Sequence, residues 1–348
     1  MERNLVLLFD GTWNDRKDQT NVLRMRQSID STGEDDPLQP CRYLGGVGTS
    51  WHNRLTGGLF GRGLSENIKQ GYAWLARHHR AGDRIFVFGF SRGAYSARSC
   101  VGLIRKCGLL KSVDEDSIEK AYELYRDKDV APKDEDAVKF RAANSREVRV
   151  RFIGVWDTVG SLGVPLARIP FSSDYYRWHD TRLSKIVDFA YHAVALDERR
   201  KHYDAALWTE QKPDETREVE QRWFIGAHAN VGGGYEKKPP DCLANITLRW
   251  MQDKAEGAGL KLASRAEVAD HHCLAPLNDS HAEFAYGLYQ RIWKPAHRAF
   301  GKGVNEKVDL TVWNRWKRDK AYRPGTLNGH PECPSAEDEI DLSAAHPG

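Results

Sequence analysis

The stretch RIFVFGFSRGAYSARSC, residues 84–100, decides how the chain can fold. Its first part, Ile85 to Phe88, is a run of large apolar residues and predicts a buried strand. The segment GFSRG follows, and AYSAR then predicts a helix. A G-x-S-x-G sequence between a strand and a helix is typical of a nucleophile elbow, where the glycines let both elements approach without Cβ clashes. Ser91 is therefore the first candidate catalytic residue, although a serine between glycines is commonly only a turn residue.

Apolar runs elsewhere in the chain predict further strands, with helical patterns between them. The runs are rich in Val, Ile, Phe and Leu without alternation, as expected of strands covered on both faces. The predicted strands are 4–9, 42–44, 84–89, 148–156, 189–196 and 220–225, and the predicted helices are 21–29, 65–79, 92–107 and 241–257. This alternation predicts an α/β fold: a doubly wound, mostly parallel sheet with helices on both faces. Ligands of such sheets bind outside the carboxyl ends of the strands.

The 348 residues are predicted to form one catalytic domain, residues 1–257, with two insertions. The first insertion, 109–147, is charged and predicted to be helical, and the second, 164–180, is a loop rich in proline and aromatic residues. Residues 258–348 are polar and predict a C-terminal extension packed on the same domain. We expect little regular structure in this extension beyond a helix near 282–292.

Composition excludes several classes of protein. The 52 basic and 49 acidic residues give a net charge of +3, which is too even a balance to indicate nucleic acid. The six cysteines show no C-x-x-C spacing and indicate reduced thiols in a protein made in the cytosol. The N-terminal apolar run, residues 5–9, is too short for a Sec signal peptide, and no stretch approaches a transmembrane segment. The sequence does not indicate an oligomeric state.

A catalytic serine needs a base to take its proton, and the base needs an acid to orient it. Asp157 directly follows one predicted strand, and His228 lies just past another, so both are expected at the same sheet edge as Ser91. The chain order, serine then aspartate then histidine, is that of α/β-hydrolases. Each residue alone has an ordinary structural explanation, but the joint arrangement predicts a Ser91–His228–Asp157 triad, which requires no cofactor and no metal.

Other residues compete for two of these roles. Asp197, in HAVALDERR, also follows a strand and is an alternative acid. His281 and His272 come later in the chain, where many hydrolases have their histidine, and are alternative bases. His192 lies within a predicted strand, so we expect it to be structural.

The segment FDGTWN, residues 9–14, ends the first strand and permits several interpretations. Backbone N–H groups at Gly11 or Thr12, with that of Arg92, would form an oxyanion hole worth a few kcal/mol per donor in the transition state. A haloacid-dehalogenase phosphatase motif is excluded because Leu8 stands where its aspartate nucleophile is needed.

A metal-assisted hydrolase is a further alternative for the same segment. Asp10 with Asn14, Asp15 or Asp18 would supply oxygen ligands to a divalent cation, but the spacing is not diagnostic.

Substrate contacts are expected from aromatic residues near these motifs. Trp13, Phe90 and Tyr235 are the candidate substrate-binding residues. Segments 51–61 and 164–180 are candidates for a small lid or an acyl-binding wall. Surface loops with anchoring aromatic residues explain the two segments equally well.

Five motifs together resemble a known family. They are FDGTWN, GFSRGAYSAR, GVWDTVGSLG, HAVALDERR and WFIGAHANVGGGY, and they cover about residues 4–255. In this order they are similar to the DUF2235 family of bacteria and fungi, which is α/β-hydrolase-like and includes phospholipase effectors of type VI secretion systems. The resemblance implies a serine nucleophile at Ser91, an acid at Asp157 and a histidine at His228. It also implies hydrolysis of esters in lipid-like substrates, peripheral membrane contact and export by a type VI secretion system.

The chain departs from the family pattern at Asn230, where the family usually has aspartate. A neutral amide can hydrogen-bond, but it cannot act as a base or as a strong cation ligand. This departure and the small lid keep open a second class of function, a non-catalytic binding or interaction module on the same fold.

Overall fold

The computed structural model describes residues 2–11, 18–46, 57–160, 183–210, 218–235, 242–283 and 292–328, without the side chains of 57–62. Its centre is a parallel sheet whose seven described strands lie in the order β2-β1-β3-β6-β7-β8-β9. These strands are β1 (Asn4–Phe9), β2 (Cys41–Leu44), β3 (Arg84–Phe90), β6 (Val150–Trp156), β7 (Val187–Ala195), β8 (Glu218–Phe224) and β9 (Glu306–Val308). A short antiparallel pair, β4 (Leu109–Leu110) and β5 (Ser145–Arg146), lies apart from the sheet.

Helices fill the connections between the strands. They are α1 (Asn21–Ser28), α2 (Gly57–His78), α3 (Arg92–Cys107), α4 (Glu115–Arg126), α5 (Glu135–Asn144), α6 (His228–Gly232), α7 (Cys242–Gly257), α8 (Ser280–Glu283) and α9 (Leu310–Arg318). Short 3₁₀ turns occupy Lys201–Tyr203, Asp270–Leu274 and Gly325–Leu327. Among these helices, none is both long enough and apolar enough to cross a bilayer.

Helices cover both faces of the sheet, and its central strands β1, β3 and β6 bury apolar residues on each face. In β1, Val6 and Leu8 belong to one core cluster, while Leu5 and Leu7 belong to the other. The first cluster includes apolar residues of α1 and α7, and the second includes those of α2, α3 and α4. This two-sided burial explains the non-alternating apolar runs of the sequence.

The structure confirms the predicted fold class. The six predicted strands are present within two residues of their expected ends, and α3 has the predicted bounds. Helix α2 begins eight residues before the predicted start. Its first two turns carry four glycines, and because glycine has a low helix propensity, the sequence there does not predict a helix. The first insertion is helical as expected, through α4 and α5, and the described cysteines form no disulfide bond.

The C-terminal extension is more regular than expected, and this part of the prediction was wrong. Residues 306–308 add the seventh strand and residues 310–318 add helix α9. The strand is only three residues long, partly exposed and polar at two positions, so it carries no apolar run. Of the predicted helix at 282–292, the start lies in α8 and residue 292 is also helical, while residues 284–291 lie outside the described residues. The loop at 164–180 also lies outside them, and the division of the chain at residue 257 stays a prediction.

The strand order fixes where a site can form. From β1 the chain moves to one side to make β2 and to the other side to make β3, so the order reverses between β1 and β3. A crevice opens at the carboxyl ends of strands where such a reversal occurs. Ser91 directly follows β3, and Asp10 and Gly11 directly follow β1, at this point of the sheet.

Candidate active site

Ser91 lies in a sharp turn between β3 and α3. Its backbone has φ 58° and ψ −122°, a strained conformation for a residue with a side chain. A Cβ on Gly89 would lie 2.6 Å from the Cα of Ala94, and one on Gly93 would overlap the carbonyl oxygen of Phe9. Both glycines are therefore required by the close approach of the helix to the strands, which is the reason the sequence pattern suggested.

Of the three residues predicted as a triad, His228 lies within hydrogen-bonding distance of the other two. His228 Nε2 is 2.8 Å from Ser91 Oγ, and His228 Nδ1 is 2.5 Å from Asp157 Oδ2. Since a carboxylate only accepts, Nδ1 carries the proton and Nε2 is left to accept from the serine hydroxyl. All three residues are buried, and Asp157 is fully so. The arrangement can move a proton from Ser91 to His228 while Asp157 keeps the imidazole in one tautomer.

Asp157 is held by a fourth residue, Arg298, which the sequence did not indicate. Arg298 donates from Nη1 to Asp157 Oδ1 at 2.5 Å and from Nη2 to Oδ2 at 2.9 Å. Its Nη1 also donates to the carbonyl of Ala195 at 2.8 Å, and its Nη2 donates to the carbonyl of Tyr203. The backbone N–H of Ala195 completes the set by donating to Asp157 Oδ1 at 2.8 Å. Nothing in the local sequence KPAHRAF marks Arg298, because its partners are distant in the chain.

Charges around the site set the protonation of its members. Burial alone would raise the pKa of Asp157, but the Arg298 charge and the His228 hydrogen bond outweigh it and hold that pKa well below its usual range. Burial lowers the pKa of His228, and the hydrogen bond from its ring to Asp157 opposes this only in part. At neutral pH the site therefore has an ionised Asp157 and a neutral imidazole, as a general base requires.

A second buried ion pair supports the segment that carries His228. Glu198 Oε2 accepts the backbone N–H of His228 at 3.1 Å, and both its oxygens accept from Ser280 Oγ at 3.0 Å. Arg200 donates to both oxygens from Nε and Nη2 at 2.8 Å. Burial alone would raise the pKa of Glu198, but Arg200 lowers it to about 2. Both residues belong to HAVALDERR, a motif whose sequence alone suggested only Asp197 as a site residue.

The imidazole of His228 packs between two aromatic rings. The Phe90 ring centroid is 4.7 Å away and tilted, and the Tyr203 ring centroid is 5.2 Å away and edge-on. Phe90 is only 2% exposed, and a Cβ on Gly232 would overlap its ring. Phe90 was a candidate substrate-binding residue, and in this structure it packs behind the imidazole with almost no surface for a ligand. Tyr235, another candidate, is half-buried.

Of the predicted oxyanion donors, Gly11 and Arg92 lie among the described residues. The N–H of Gly11 donates to its neighbour Asp10 at 2.6 Å, so this donor is directed to a carboxylate in the structure. Thr12 lies outside the described residues, as does the candidate Trp13. Arg92 is the first residue of α3, and the N–H groups of a first helical turn point out of the helix N-terminus, here beside Ser91.

Asp10 makes contacts that organise the ends of β1 and β2. Its Oδ2 accepts from Thr20 Oγ1 at 2.6 Å and from the Tyr43 hydroxyl at 2.5 Å. Within the described ranges, no group of three or more His, Cys, Asp or Glu residues could hold a metal ion. Of the other ligands proposed with Asp10, Asn14 and Asp15 lie outside those ranges.

The alternative acid and bases contact other groups. Asp197 accepts from the Gly226 N–H at 2.7 Å and from the Tyr322 hydroxyl at 2.9 Å. His281 Nε2 lies 2.8 Å from the Trp293 carbonyl. His272 is partly buried, and its Nδ1 accepts from the Ala269 N–H at 3.3 Å. These side chains have structural partners of their own.

His192 has the structural role expected of it. Its Nε2 accepts from the Thr158 N–H at 3.0 Å, and its Nδ1 donates to Gln221 Oε1 at 3.3 Å. Burial lowers the pKa of His192 to about 3, so the ring is neutral at neutral pH. The histidine thereby links β6, β7 and β8 beneath the site.

Asn230 positions the turn that follows β8. Its Oδ1 accepts the Ala227 N–H at 3.1 Å, and its Nδ2 donates to Asn278 Oδ1 at 3.0 Å. An aspartate could make the first contact but could not donate to Asn278. The amide at this position therefore ties the His228 segment to the polar C-terminal region.

The fold is α/β, and it places the His228 imidazole within hydrogen-bonding distance of both Ser91 and Asp157. A family model for the catalytic domain of type VI secretion (T6SS) phospholipase effectors, Tle1-like, matches residues 3–254. This span is more than two thirds of the chain, and the chain belongs to that family.

Individual relatives are more distant. An uncharacterized protein of Saccharomyces cerevisiae, YEL023C, is 30% identical over 233 residues, which cover 60% of this chain and 33% of the yeast protein. The chain thus spans about one third of the length of that relative.

Among solved structures, an uncharacterized protein from Pseudomonas aeruginosa has 18% identity and a TM-score of 0.45, over 75% of this chain and 46% of its own. Esterase 2 of Thermogutta terrifontis has 12% identity and a TM-score of 0.36, over 76% of this chain and 86% of its own. Likenesses at this level carry no weight for the function.

Proposed function

We propose that the protein is a serine hydrolase that cleaves carboxylic esters, with acyl lipids as its substrate class. The observation that carries this proposal is the hydrogen-bonded chain from Ser91 Oγ through His228 to Asp157. The binding-module alternative predicted a Ser91 and His228 separated by packed side chains, and the 2.8 Å contact favours the enzyme.

The chemistry follows from the protonation of the site. Ser91 Oγ attacks the acyl carbonyl as His228 Nε2 accepts its proton, and His228 then donates that proton to the leaving alcohol. The carboxylate of Asp157 stabilises the imidazolium formed in between. Water, deprotonated by His228, attacks the acyl-enzyme and releases the carboxylic acid. The Arg92 N–H stabilises the oxyanion, which is worth a few kcal/mol in the transition state.

The lipid assignment rests on family membership. Members of this family are described as phospholipase effectors, which supports an acyl lipid as substrate, a peripheral contact with the membrane and delivery by a type VI secretion system. The two candidate segments for a lid or an acyl wall are 51–61 and 164–180. Residues 51–56 and 164–180 lie outside the described residues, and residues 57–61 begin helix α2.

Fluorophosphonate labelling of the purified protein tests the nucleophile. We expect the wild type to be labelled and Ser91→Ala to be unlabelled, with loss of p-nitrophenyl ester hydrolysis. Ser96→Ala is a matched control, because Ser96 is buried in the same helix and its hydroxyl donates to a backbone carbonyl at 3.3 Å.

Two kinds of substrate then test the proposed substrate class. A series of p-nitrophenyl esters of increasing chain length reports on the acyl pocket, and fatty-acid release from phosphatidylglycerol and phosphatidylethanolamine vesicles tests the lipid assignment. Full esterase activity in Ser91→Ala, or a folded wild type that is never labelled, would overturn the proposal. Loss of activity with EDTA would favour the metal-assisted alternative at Asp10.

A further inference from the structure

We propose that Arg298 is a positioning residue of this site, which holds Asp157 in the orientation that His228 requires and offsets the charge of its carboxylate. The inference rests on the proposed function and deepens it, since it assigns control of the same site to the C-terminal extension. Arg298 lies beyond residue 254, where the family match ends.

The contacts of Arg298 fix the plane of the carboxylate. Its two terminal nitrogens each bond a different oxygen of Asp157, a bidentate arrangement that leaves little rotational freedom. The guanidinium is itself fixed by the carbonyls of Ala195 and Tyr203. Asp157 has φ 39°, so its backbone is also strained, and the salt bridge helps to hold it.

The Arg298 guanidinium also changes the electrostatic environment of the His228 imidazole. Among the described residues, four charged groups lie around the imidazole: Asp157 from the end of β6, Glu198 and Arg200 from the loop after β7, and Arg298 from the segment before β9. Each carboxylate is thus paired with an arginine, and an imidazolium at His228 gains less from Asp157 than it would from an unpaired carboxylate. The Ser91 hydroxyl faces the imidazole at Nε2, and the Tyr203 ring packs edge-on against it.

This pairing has a measurable consequence for proton binding. Without the Arg298 charge, Asp157 would favour the imidazolium more strongly, so the pKa of His228 would rise. As the pH falls, His228 would then become protonated, and would stop activating Ser91, at a higher pH than in the wild type. A merely structural arginine would not shift this titration.

The experiment compares Arg298→Gln, Arg298→Lys and the wild type, with Arg315→Gln as a matched control. Arg315 is a buried arginine of the same extension that donates to the carbonyls of Cys273 and Ala275 and does not touch Asp157. The histidine rings are titrated by NMR with ¹⁵N-labelled protein, and His228→Gln identifies the signal of His228. The pH dependence of fluorophosphonate labelling is measured on the same samples.

We expect Arg298→Gln to raise the pKa of His228 by about one unit and to shift the acid limb of labelling with it. Arg298→Lys keeps the positive charge but cannot make the bidentate contact with Asp157. The His228 titration in this variant should therefore stay near that of the wild type, while labelling slows about tenfold. Arg315→Gln should change neither property.

An unchanged His228 titration in folded Arg298→Gln would overturn the inference. Should this variant not fold, an unchanged labelling rate in Arg298→Lys would overturn it as well. The NMR titration does not depend on turnover, so a wild type without labelling would refute the proposed function while the role of Arg298 is still measured.

Discussion

The backbone N–H of Ser91 donates a 3.0 Å hydrogen bond to the carbonyl of Trp156, the residue directly before Asp157. The candidate nucleophile and acid are therefore joined through the paired strands β3 and β6. Both residues have positive φ, 58° for Ser91 and 39° for Asp157, and the sheet holds both conformations. Strain of this kind persists only where the surrounding structure enforces it, and it is concentrated at functional sites.

Gly93→Ala should disrupt the turn at Ser91. The added Cβ would overlap the carbonyls of Phe9 and Asp10, which are backbone atoms that cannot move aside cheaply. Overpacking of this kind costs about 1–3 kcal/mol, and here it would push the start of α3 away from β1. Urea unfolding should show the lower stability, and fluorophosphonate labelling should slow.

Gly257→Ala provides the control for this change. A Cβ at Gly257 would meet no atom within 4 Å, and the residue ends helix α7. Its stability and labelling should stay near those of the wild type. If Gly93→Ala behaves in the same way, the close contact between α3 and β1 does not constrain the site.

The acid limb of ester hydrolysis should reflect His228. Burial lowers the pKa of the imidazole below its ordinary 6.5, more than the Asp157 hydrogen bond raises it. The base is active when neutral, so kcat/KM should fall as pH drops through a midpoint below about 6.5. A pH profile from 4.5 to 8.5 of p-nitrophenyl ester hydrolysis measures it. A midpoint at or above 7 would contradict the burial argument.

The sequence predicted those parts of the site whose signals are local. Ser91 lies two residues from a glycine on either side, Asp157 directly follows a predicted strand, and His228 lies just past another. Their position at one edge of the sheet could therefore be inferred without coordinates. The central strands β1, β3 and β6 were recognisable because they carry nearly continuous apolar runs, as two-sided burial requires.

The parts that sequence did not predict depend on contacts between distant residues. Arg298 is 141 positions away from Asp157 in the chain, and its neighbours carry no periodic pattern. The pairing of Glu198 with the His228 backbone likewise depends on how two loops meet. Strand β9 is short and polar, so only its pairing with β8 identifies it.

Asp157→Asn should reduce both activity and stability, for different reasons. Loss of the charge leaves His228 without its tautomer control, and such changes slow hydrolysis on the order of 10⁴-fold. The change also leaves Arg298 buried without a counter-charge, and breaking a buried pair costs about 3–5 kcal/mol. Urea unfolding and the fluorophosphonate labelling rate measure the two effects separately.

A second substitution separates these effects. In Asp157→Asn with Arg298→Gln, the unpaired charge is gone, so the double variant should be more stable than Asp157→Asn alone. Labelling should remain as slow as in the single variant. A double variant that is no more stable would show that Arg298 is sufficiently solvated by its carbonyl partners.

His192 should make the protein less stable as the pH falls. Its folded-state pKa of about 3 lies below the unfolded value of about 6.5, so its contribution to stability is complete above pH 6.5 and is lost as pH falls toward 3. His192→Gln can still accept the Thr158 N–H but cannot titrate. The wild type should be the more stable protein at pH 7.5, and its advantage should shrink by about 2–3 kcal/mol between pH 6.5 and 4.5. Urea unfolding of both proteins at pH 7.5, 6.5, 5.5 and 4.5 measures this difference. The carboxylates are the same in both proteins, so their contribution to the pH dependence cancels in the difference. Parallel stability curves for the two proteins would mean that the ring takes up its proton without breaking the contacts to Thr158 and Gln221.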